Sequence, residues 1–436
     1  MISHIISEGI NGVPEIPGDK SISHRSIIIP SISNGICEIN NILKSEDVSN
    51  TLNAFKSMGV EILESQKKIS IYGKGLNSLK QPKNEIYLGN SGTSARLLTG
   101  LLSSQKFNSI LTGDLSLSKR PMTRIADPLS KMNAKIFTTN GRLPIKIEGN
   151  KLTSNNFELE IPSAQIKSGL LLAGLNTIGE TIITESKVTR NHTEIMLKSF
   201  GAKIEEKKID NKKVIKIIGQ KELVSKNIEV PNDLSSAAFF IVSALINDNS
   251  FITLKNINNN PTRNGLLLAL EKMGAKIILS NQRKTNDENI CDIEVSTSNL
   301  KGCELEPEYA DLMIDEYPIL AVAAAFANSP SIFRGLDELR VKESDRLKLT
   351  LLNLQKCGVN CWVKDSDLFI FPSKKYEIKD NIIQTDFDHR IAMAFAIMGT
   401  RIGPLNIKDA NSINTSFPTF KYELNKLGGK FFWKIW

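Results

Sequence analysis

Lys272-Met273-Gly274-Ala275-Lys276-Ile277 decides how this 436-residue chain is put together, because the same wording returns in five other places. The other copies are Lys56-Ser57-Met58-Gly59-Val60-Glu61-Ile62, Lys131-Met132-Asn133-Ala134-Lys135-Ile136, Lys198-Ser199-Phe200-Gly201-Ala202-Lys203-Ile204, Lys356-Cys357-Gly358-Val359-Asn360 and Lys426-Leu427-Gly428-Gly429-Lys430-Phe431. Each reads as the end of an amphipathic helix, a residue able to adopt the left-handed backbone, and the start of a strand. Gly does this without a Cβ penalty, and Asn133, the one exception, is the next most tolerant residue. The copies stand roughly 70 to 80 residues apart, too far for the common solenoids and enough for two helices and three or four strands. Helix-Gly-strand junctions are common in any α/β chain, but the shared Met-Gly-Ala-Lys-Ile wording argues for six related units. Strand-like runs such as Ser250–Lys255 and Glu180–Thr184 alternate with helices such as Asn264–Met273, so the class is mixed α and β.

Working outward, the length suggests two domains, and a 41% hydrophobic content is enough for a large core. Lys plus Arg number 55 against 47 Asp plus Glu, a charge of +8 that is spread along the chain. A nucleic-acid binder would gather that charge into a stripe with interleaved aromatics, and aromatics are only 6% of the residues. The longest apolar run, Tyr317–Ala327, falls far short of the roughly 20 residues that span a bilayer. The N-terminal Met1-Ile2-Ser3-His4 has neither a secretory nor a transit pattern, so a cytoplasmic protein is expected. Cys37, Cys291, Cys303, Cys357 and Cys361 form no Cys-x-x-Cys pair and read as reduced structural thiols, although Cys357 and Cys361 could face each other on a helical turn.

Several loops hold more charge, Gly and hydroxyl than a turn requires. Pro17-Gly18-Asp19-Lys20-Ser21-Ile22-Ser23-His24-Arg25 reads as an oxyanion cradle opening a helix, and it is not a Walker loop. Leu88-Gly89-Asn90-Ser91-Gly92-Thr93-Ser94-Ala95-Arg96 follows the same logic, and taken singly it is an ordinary capped helix. In Gly113–Arg124, Arg120 precedes Pro121, which fixes its backbone and suits presentation of a guanidinium to a carboxylate or phosphate. Ser163-Ala164-Gln165 and Thr189-Arg190-Asn191-His192 read singly as surface. The second half sets acids among bases: Asp315-Glu316-Tyr317-Pro318, Arg340-Val341-Lys342-Glu343-Ser344-Asp345-Arg346, and Asp386-Phe387-Asp388-His389-Arg390 leading into an apolar helix. The Lys342–Arg346 run alone could be a solvated helix face.

Together these segments, in order over nearly the whole chain, resemble the enolpyruvyl transferase family, and within it the branch acting on shikimate 3-phosphate. The resemblance implies a two-domain inside-out α/β barrel, each domain built from three βαβαββ repeats, with the active site in the cleft between them. It implies a discontinuous domain, residues 1–18 plus 231–436, around an inserted domain, residues 19–230, with the return near Asp233-Leu234-Ser235-Ser236-Ala237. The implied reaction moves the enolpyruvyl group of phosphoenolpyruvate onto the 5-hydroxyl of shikimate 3-phosphate and releases phosphate. Carried over by motif, Lys20, Ser21, Arg25, Ser163, Ala164, Gln165, Arg190, Asp315 and Lys342 would surround shikimate 3-phosphate. Lys20, Gly92, Arg120, Gln165, Arg346 and Arg390 would hold phosphoenolpyruvate. Asp315 would take the hydroxyl proton, Glu343 would protonate the methylene carbon, and Lys20 completes the implied catalytic set. No metal or organic cofactor, nucleic acid or membrane is implied, and a monomer is expected.

Two departures stand out. Many relatives carry Lys before Thr-Phe-Pro near the C-terminus, where this chain has Asn414-Thr415-Ser416-Phe417-Pro418, and Thr189 stands where Ser is usual. The missing Lys and the Pro17–Arg25 wording are similar to a branch in which low glyphosate sensitivity is common, but Gly92 is retained, which leaves the inhibitor response open. The related transferase acting on UDP-N-acetylglucosamine uses a reactive Cys in the loop matching Gly113–Arg120, where this chain has Ser116 and Ser118. A basic nucleic-acid binder or a scaffold would account for the charge, but not for acids set among the bases.

Overall fold

All six turns picked out by the repeat are left-handed, with φ of 82° at Gly59, 67° at Asn133, 95° at Gly201, 77° at Gly274, 81° at Gly358 and 111° at Gly428. Each closes its helix with the same bond, from the amide after the turn residue to a carbonyl five residues back. Examples are Val60 N to Phe55 O, Ala134 N to Leu129 O, Ala275 N to Leu270 O and Gly429 N to Leu424 O. A Cβ at Gly201 or Gly274 would meet nothing within 4 Å, so backbone conformation alone asks for Gly there. The computed structural model describes residues 1–66, 68–373 and 375–433. Among them Gly358 ends the helix that carries Cys357, and Cys361 lies on the next strand, Asn360–Lys364. The two thiols therefore do not share a helical turn.

Each turn feeds one of six four-stranded sheets, all of one topology: a short first strand lies parallel to the second, which pairs antiparallel with the fourth, which pairs antiparallel with the third. Helices join first to second and second to third strands. The repeat is contiguous at Ile86–Glu148, Asn156–Ile218 and Glu304–Phe371. In the other three, one strand comes from far along the chain. Ile228–Glu229 supplies the first strand beside Asn34–Asn40, Asn11–Gly12 the first strand beside Phe251–Asn258, and Ile2–Ser3 the fourth strand between Leu405–Ile407 and Phe431–Phe432. The sheets are one-sided. Along Arg142–Glu148, Leu143, Ile145 and Ile147 are buried while Arg142, Pro144 and Lys146 are exposed, the pattern of a sheet with one face on a core.

The chain divides into two compact units, each with its own core. The discontinuous unit comprises Met1–Pro17, Asn232–Arg283 and the chain from Asn289 onward; the inserted unit comprises Gly18–Pro231 with Lys284–Glu288. In the discontinuous unit three apolar helices, Leu234–Ile246, Tyr317–Ala325 and His389–Ile402, pack on one another inside the sheets. The inserted unit has Lys20–Ser31, Gly92–Ser103 and Ala164–Leu175 in the same places in the repeat. There the last two helices touch at glycines: a Cβ on Gly100 would lie 2.0 Å from the Gly169 carbonyl oxygen. Among the described residues no helix is long and apolar enough to cross a membrane.

Candidate active site

The sequence-predicted residues stand near helix beginnings: Lys20, Ser21, Arg25, Gly92, Ser163, Ala164, Gln165, Asp315 and Arg390 at the first helices of their repeats, and Arg120, Arg190, Lys342, Glu343 and Arg346 at the second helices. Asp19, Ser91 and Ser163 cap the three central helices of the inserted unit, accepting from the amides of Ile22, Ser94 and Ile166. Lys20, Ser21 and Arg25 follow the first cap, Gly92 the second, and Ala164 and Gln165 the third. Partial positive charge from the helix ends adds to the side-chain cations, so the region is suited to anions.

Within this unit Arg25 is 3% exposed and is held by neutral oxygens. Its Nε donates to Thr193 Oγ1 at 2.6 Å, Nη2 to Ser168 Oγ at 2.8 Å and Nη1 to the Ser21 carbonyl at 2.8 Å. Burial draws its pKa down to about 10, against the pull of Glu194, Asp19 and Glu288. Gln165 joins two helices: its Oε1 accepts from Arg96 and its Nε2 donates to Thr93 Oγ1 at 3.0 Å. Arg120 donates to Asn90 Oδ1, and the Asn90 amide in turn donates to Asp114 at 2.9 Å. Gly92 makes room for this pair of arginines, since a Cβ there would lie 2.9 Å from Arg120 Nη1 and 3.1 Å from Arg96 Nη1. Lys20 Nζ meets Asp47 Oδ2 at 2.5 Å. Arg190 precedes the helix His192–Ser199, in a segment fixed by fully buried Lys167, which binds Glu185 at 3.0 Å, Glu194 at 2.8 Å and the Thr189 carbonyl at 3.2 Å.

The discontinuous unit brings acids and bases into direct contact. Arg346 opens the helix Arg346–Lys356, is fully buried, and is gripped by three carboxylates. Nη1 meets Asp315 Oδ1 at 3.0 Å, Nη2 meets Glu343 Oε2 at 2.5 Å, and Nε meets Asp388 Oδ2 at 2.8 Å. Burial opposes the charge, but Asp388, Glu343 and Asp315 overcome it and raise the Arg346 pKa further above its usual range. Lys342, just before Glu343, is drawn below its ordinary value by desolvation, which outweighs Asp315 and Glu338. Arg390 Nη1 donates to the Asp315 carbonyl at 3.3 Å and lies 3.5 Å from Glu316 Oε1. The Lys342–Arg346 run is thus not a solvated helix face: Arg340 and Val341 end a short 3-10 turn, Asp345 caps the helix, and Arg346 points inward.

The model of the EPSP synthase (3-phosphoshikimate 1-carboxyvinyltransferase) family matches residues 6–424. The chain belongs to the EPSP synthase family. It is 44% identical over 424 residues to the 3-phosphoshikimate 1-carboxyvinyltransferase of Ruthia magnifica subsp. Calyptogena magnifica, covering 97% of this chain and 96% of that one. It is 43% identical over 431 residues to the protein of the same name from Pseudomonas sp. (strain PG2982), at the same coverage. The solved EPSP synthase of Acinetobacter baumannii superposes with a TM-score of 0.86 at 42% identity, covering 98% of both chains.

In this member of the EPSP synthase family the geometry also involves residues that sequence reasoning did not select. Asp388 caps its helix through Arg390 N at 2.9 Å, accepts from Ser344 at 3.0 Å and holds Arg346. Its place just ahead of an apolar helix was a legible capping signal. Asp47, Asn90 and Arg96 support Lys20, Arg120 and Gln165, and Glu316, Ser235 and Arg263 support Arg390. Nothing in their local wording separates them from ordinary surface polar groups.

Proposed function

We propose that the chain transfers the enolpyruvyl group of phosphoenolpyruvate to the 5-hydroxyl of shikimate 3-phosphate, with release of phosphate, as one step of aromatic amino-acid biosynthesis. The observation that carries the assignment of roles is the shared guanidinium of Arg346, which holds Asp315 and Glu343 at once. Glu343 delivers a proton to the methylene carbon of phosphoenolpyruvate and positive charge develops at the central carbon. The 5-hydroxyl oxygen bonds there as Asp315 accepts its proton, giving a tetrahedral adduct. The Glu343 carboxylate then takes back a proton from the adduct's methyl group as the carbon–phosphate oxygen bond breaks, and the phosphate leaves with the proton held by Asp315, forming the enol ether. Arg346 ties the two carboxyl groups together and stabilises whichever of them is ionised at each step.

In this reading Lys20, Ser21, Arg25, Ser163, Ala164, Gln165, Arg190, Asp315 and Lys342 bind shikimate 3-phosphate. Phosphoenolpyruvate is held by Lys20, Gly92, Arg120, Gln165, Arg346 and Arg390. Bidentate arginines orient two anions that would otherwise repel, which supports several guanidiniums rather than one lysine cluster. No step is assigned to a metal or organic cofactor, and the protein is taken to act as a cytoplasmic monomer. Incubation with phosphoenolpyruvate and shikimate 3-phosphate should release phosphate. No release, or release only with UDP-N-acetylglucosamine as acceptor, would overturn the assignment. Light scattering of the eluted protein tests the monomer.

A further inference from the structure

Asp315 and Glu316 are adjacent carboxylates in one short turn, Ile314–Glu316, yet their side chains go to different places. Asp315 is 17% exposed on its side chain and pairs with Arg346, whereas Glu316 is 2% exposed at the base of the helix Tyr317–Ala325. Glu316 Oε1 accepts from the Ser235 hydroxyl and stands 3.5 Å from Arg390 Nη1 and 4.0 Å from Arg263 Nη2. Ser235 is itself fixed, accepting from Arg263, and its amide donates to the cap Asp233 at 3.0 Å. A carboxylate this deeply buried is tolerable only when paired, and here the pairing is with two guanidiniums. Glu316 Oε2 has no hydrogen-bond partner among the described residues, so its cationic neighbours, rather than a full hydrogen-bond shell, compensate the charge.

Arg390 is the side of the arrangement that can reach a ligand. Its Nη1 is committed to the Asp315 carbonyl and to Glu316, and its side chain is 13% exposed. Its other guanidinium nitrogens make no hydrogen bond among the described residues. We infer that Glu316 is a positioning residue for phosphoenolpyruvate: it anchors one corner of the Arg390 guanidinium so that the remaining edge is presented to the substrate's anionic groups. Glu316 is too deeply buried to touch the substrate and takes no part in proton transfer. This rests on the reading of Arg390 as a phosphoenolpyruvate ligand. An unanchored arginine would sample several rotamers and offer its fork only part of the time, which costs affinity without changing the chemistry of the bound complex.

The test is a double-mutant cycle, with steady-state phosphate release measured for Glu316→Gln, Arg390→Ala and the pair. Glu316→Gln keeps the shape and the acceptor for Ser235 while removing the charge. It should raise the KM for phosphoenolpyruvate about tenfold, leaving kcat and the KM for shikimate 3-phosphate within about twofold. In the Arg390→Ala background the same change should add less than about twofold. Glu316→Asp, which retains the charge, should recover part of the loss. An unchanged KM for phosphoenolpyruvate, an equal rise for both substrates, or an undiminished effect in the Arg390→Ala background would overturn the inference. If Arg390→Ala itself leaves that KM unchanged, the reading of Arg390 fails and the inference fails with it. If Arg390→Ala raises it and Glu316→Gln does not, only the inference fails. Should Glu316→Gln not fold, Ser235→Ala decides the matter: it releases Glu316 from one side and should raise the same KM about threefold, and no rise would refute the anchoring.

Discussion

The two units share a topology but hold their arginines in different ways. Within the inserted unit, Arg25 rests on Thr193, Ser168 and the Ser21 carbonyl. Within the discontinuous unit, Arg346 is enclosed by Asp315, Glu343 and Asp388, and Arg390 leans on Glu316. Neutral acceptors orient a guanidinium without cancelling its charge, which suits the capture of phosphate and carboxylate groups. Carboxylates cancel the charge but are themselves fixed by it, which suits a region where protons must leave one group and arrive at another. The same repeat therefore carries different supports near its helix beginnings, neutral oxygens around Arg25 and carboxylates around Arg346.

The largest effect that could break this contrast is on stability. Arg346→Ala should cost about 3–5 kcal/mol and abolish phosphate release, because it removes the cation that compensates the fully buried Asp388 carboxylate. Arg25→Ala should cost about 1–2 kcal/mol, the range for losing hydrogen bonds to neutral groups such as Thr193 and Ser168, while weakening shikimate 3-phosphate binding. Chemical unfolding of both variants tests the difference, and equal losses would mean that the two kinds of support are energetically alike.

Next in size is Gly92→Ala. Its new methyl would press on Arg120 Nη1 at 2.9 Å and Arg96 Nη1 at 3.1 Å, both far ends of flexible side chains, so the fold can accommodate it. The displaced guanidiniums should raise the KM for phosphoenolpyruvate about tenfold, equivalent to about 1.4 kcal/mol, with little change in melting temperature. A lowered melting temperature with unchanged KM would show that Gly92 serves packing rather than the ligand.

Acid should separate the units more gently. His24 is fully buried in the inserted unit, with Nδ1 2.8 Å from Thr51 Oγ1 and Nε2 without a hydrogen-bond partner among the described residues. Burial first, then Lys20 and Arg25, hold its pKa well below the usual 6.5. The unfolded chain therefore binds this proton more readily than the folded one. The stability contribution is complete above about pH 6.5 and is lost as pH falls below it, by at most about 1.4 kcal/mol per pH unit. The inserted unit contains no tryptophan and Trp362 and Trp433 lie in the discontinuous unit, so tryptophan fluorescence does not follow the inserted unit while far-ultraviolet circular dichroism follows both. On acidification the dichroism should begin to fall before the fluorescence changes, and His24→Asn should remove the lag; coincident transitions in the unaltered protein would count against it.

How much of this was legible follows from where each property is encoded. The sixfold turn was readable because a left-handed residue after a helix admits little but Gly or Asn, and Gly59, Asn133, Gly201, Gly274, Gly358 and Gly428 all carry positive φ. The strands Ile2–Ser3, Asn11–Gly12 and Ile228–Glu229 were not, since two residues carry no periodicity and their partners are set by chain topology. The cationic loops were recognisable by motif, and the structure brings Asp315 and Glu343 onto the Arg346 guanidinium. The residues beneath them, such as Glu316, Arg263 and Asn90, owe their roles to neighbours tens of residues or more away. Only packing reveals those roles, and only Asp388 announced itself locally, as a cap.

The smallest effect asks whether the repeat frame is as equal as its turns suggest. Gly201 lies in the inserted unit and Gly274 in the discontinuous one, with φ of 95° and 77°, and at neither would an added methyl find an atom within 4 Å. Sterics cannot distinguish them, so Gly→Ala should cost about 1 kcal/mol at both sites through the left-handed backbone alone. Asn133→Gly, at the one copy that already uses Asn, should change stability by less than about 0.5 kcal/mol, because both residues tolerate that conformation. Denaturant melts would register a shift of similar size for Gly201→Ala and Gly274→Ala. Unequal shifts would mean that the two units differ in the frame itself as well as in the acids and neutral groups at their helix beginnings.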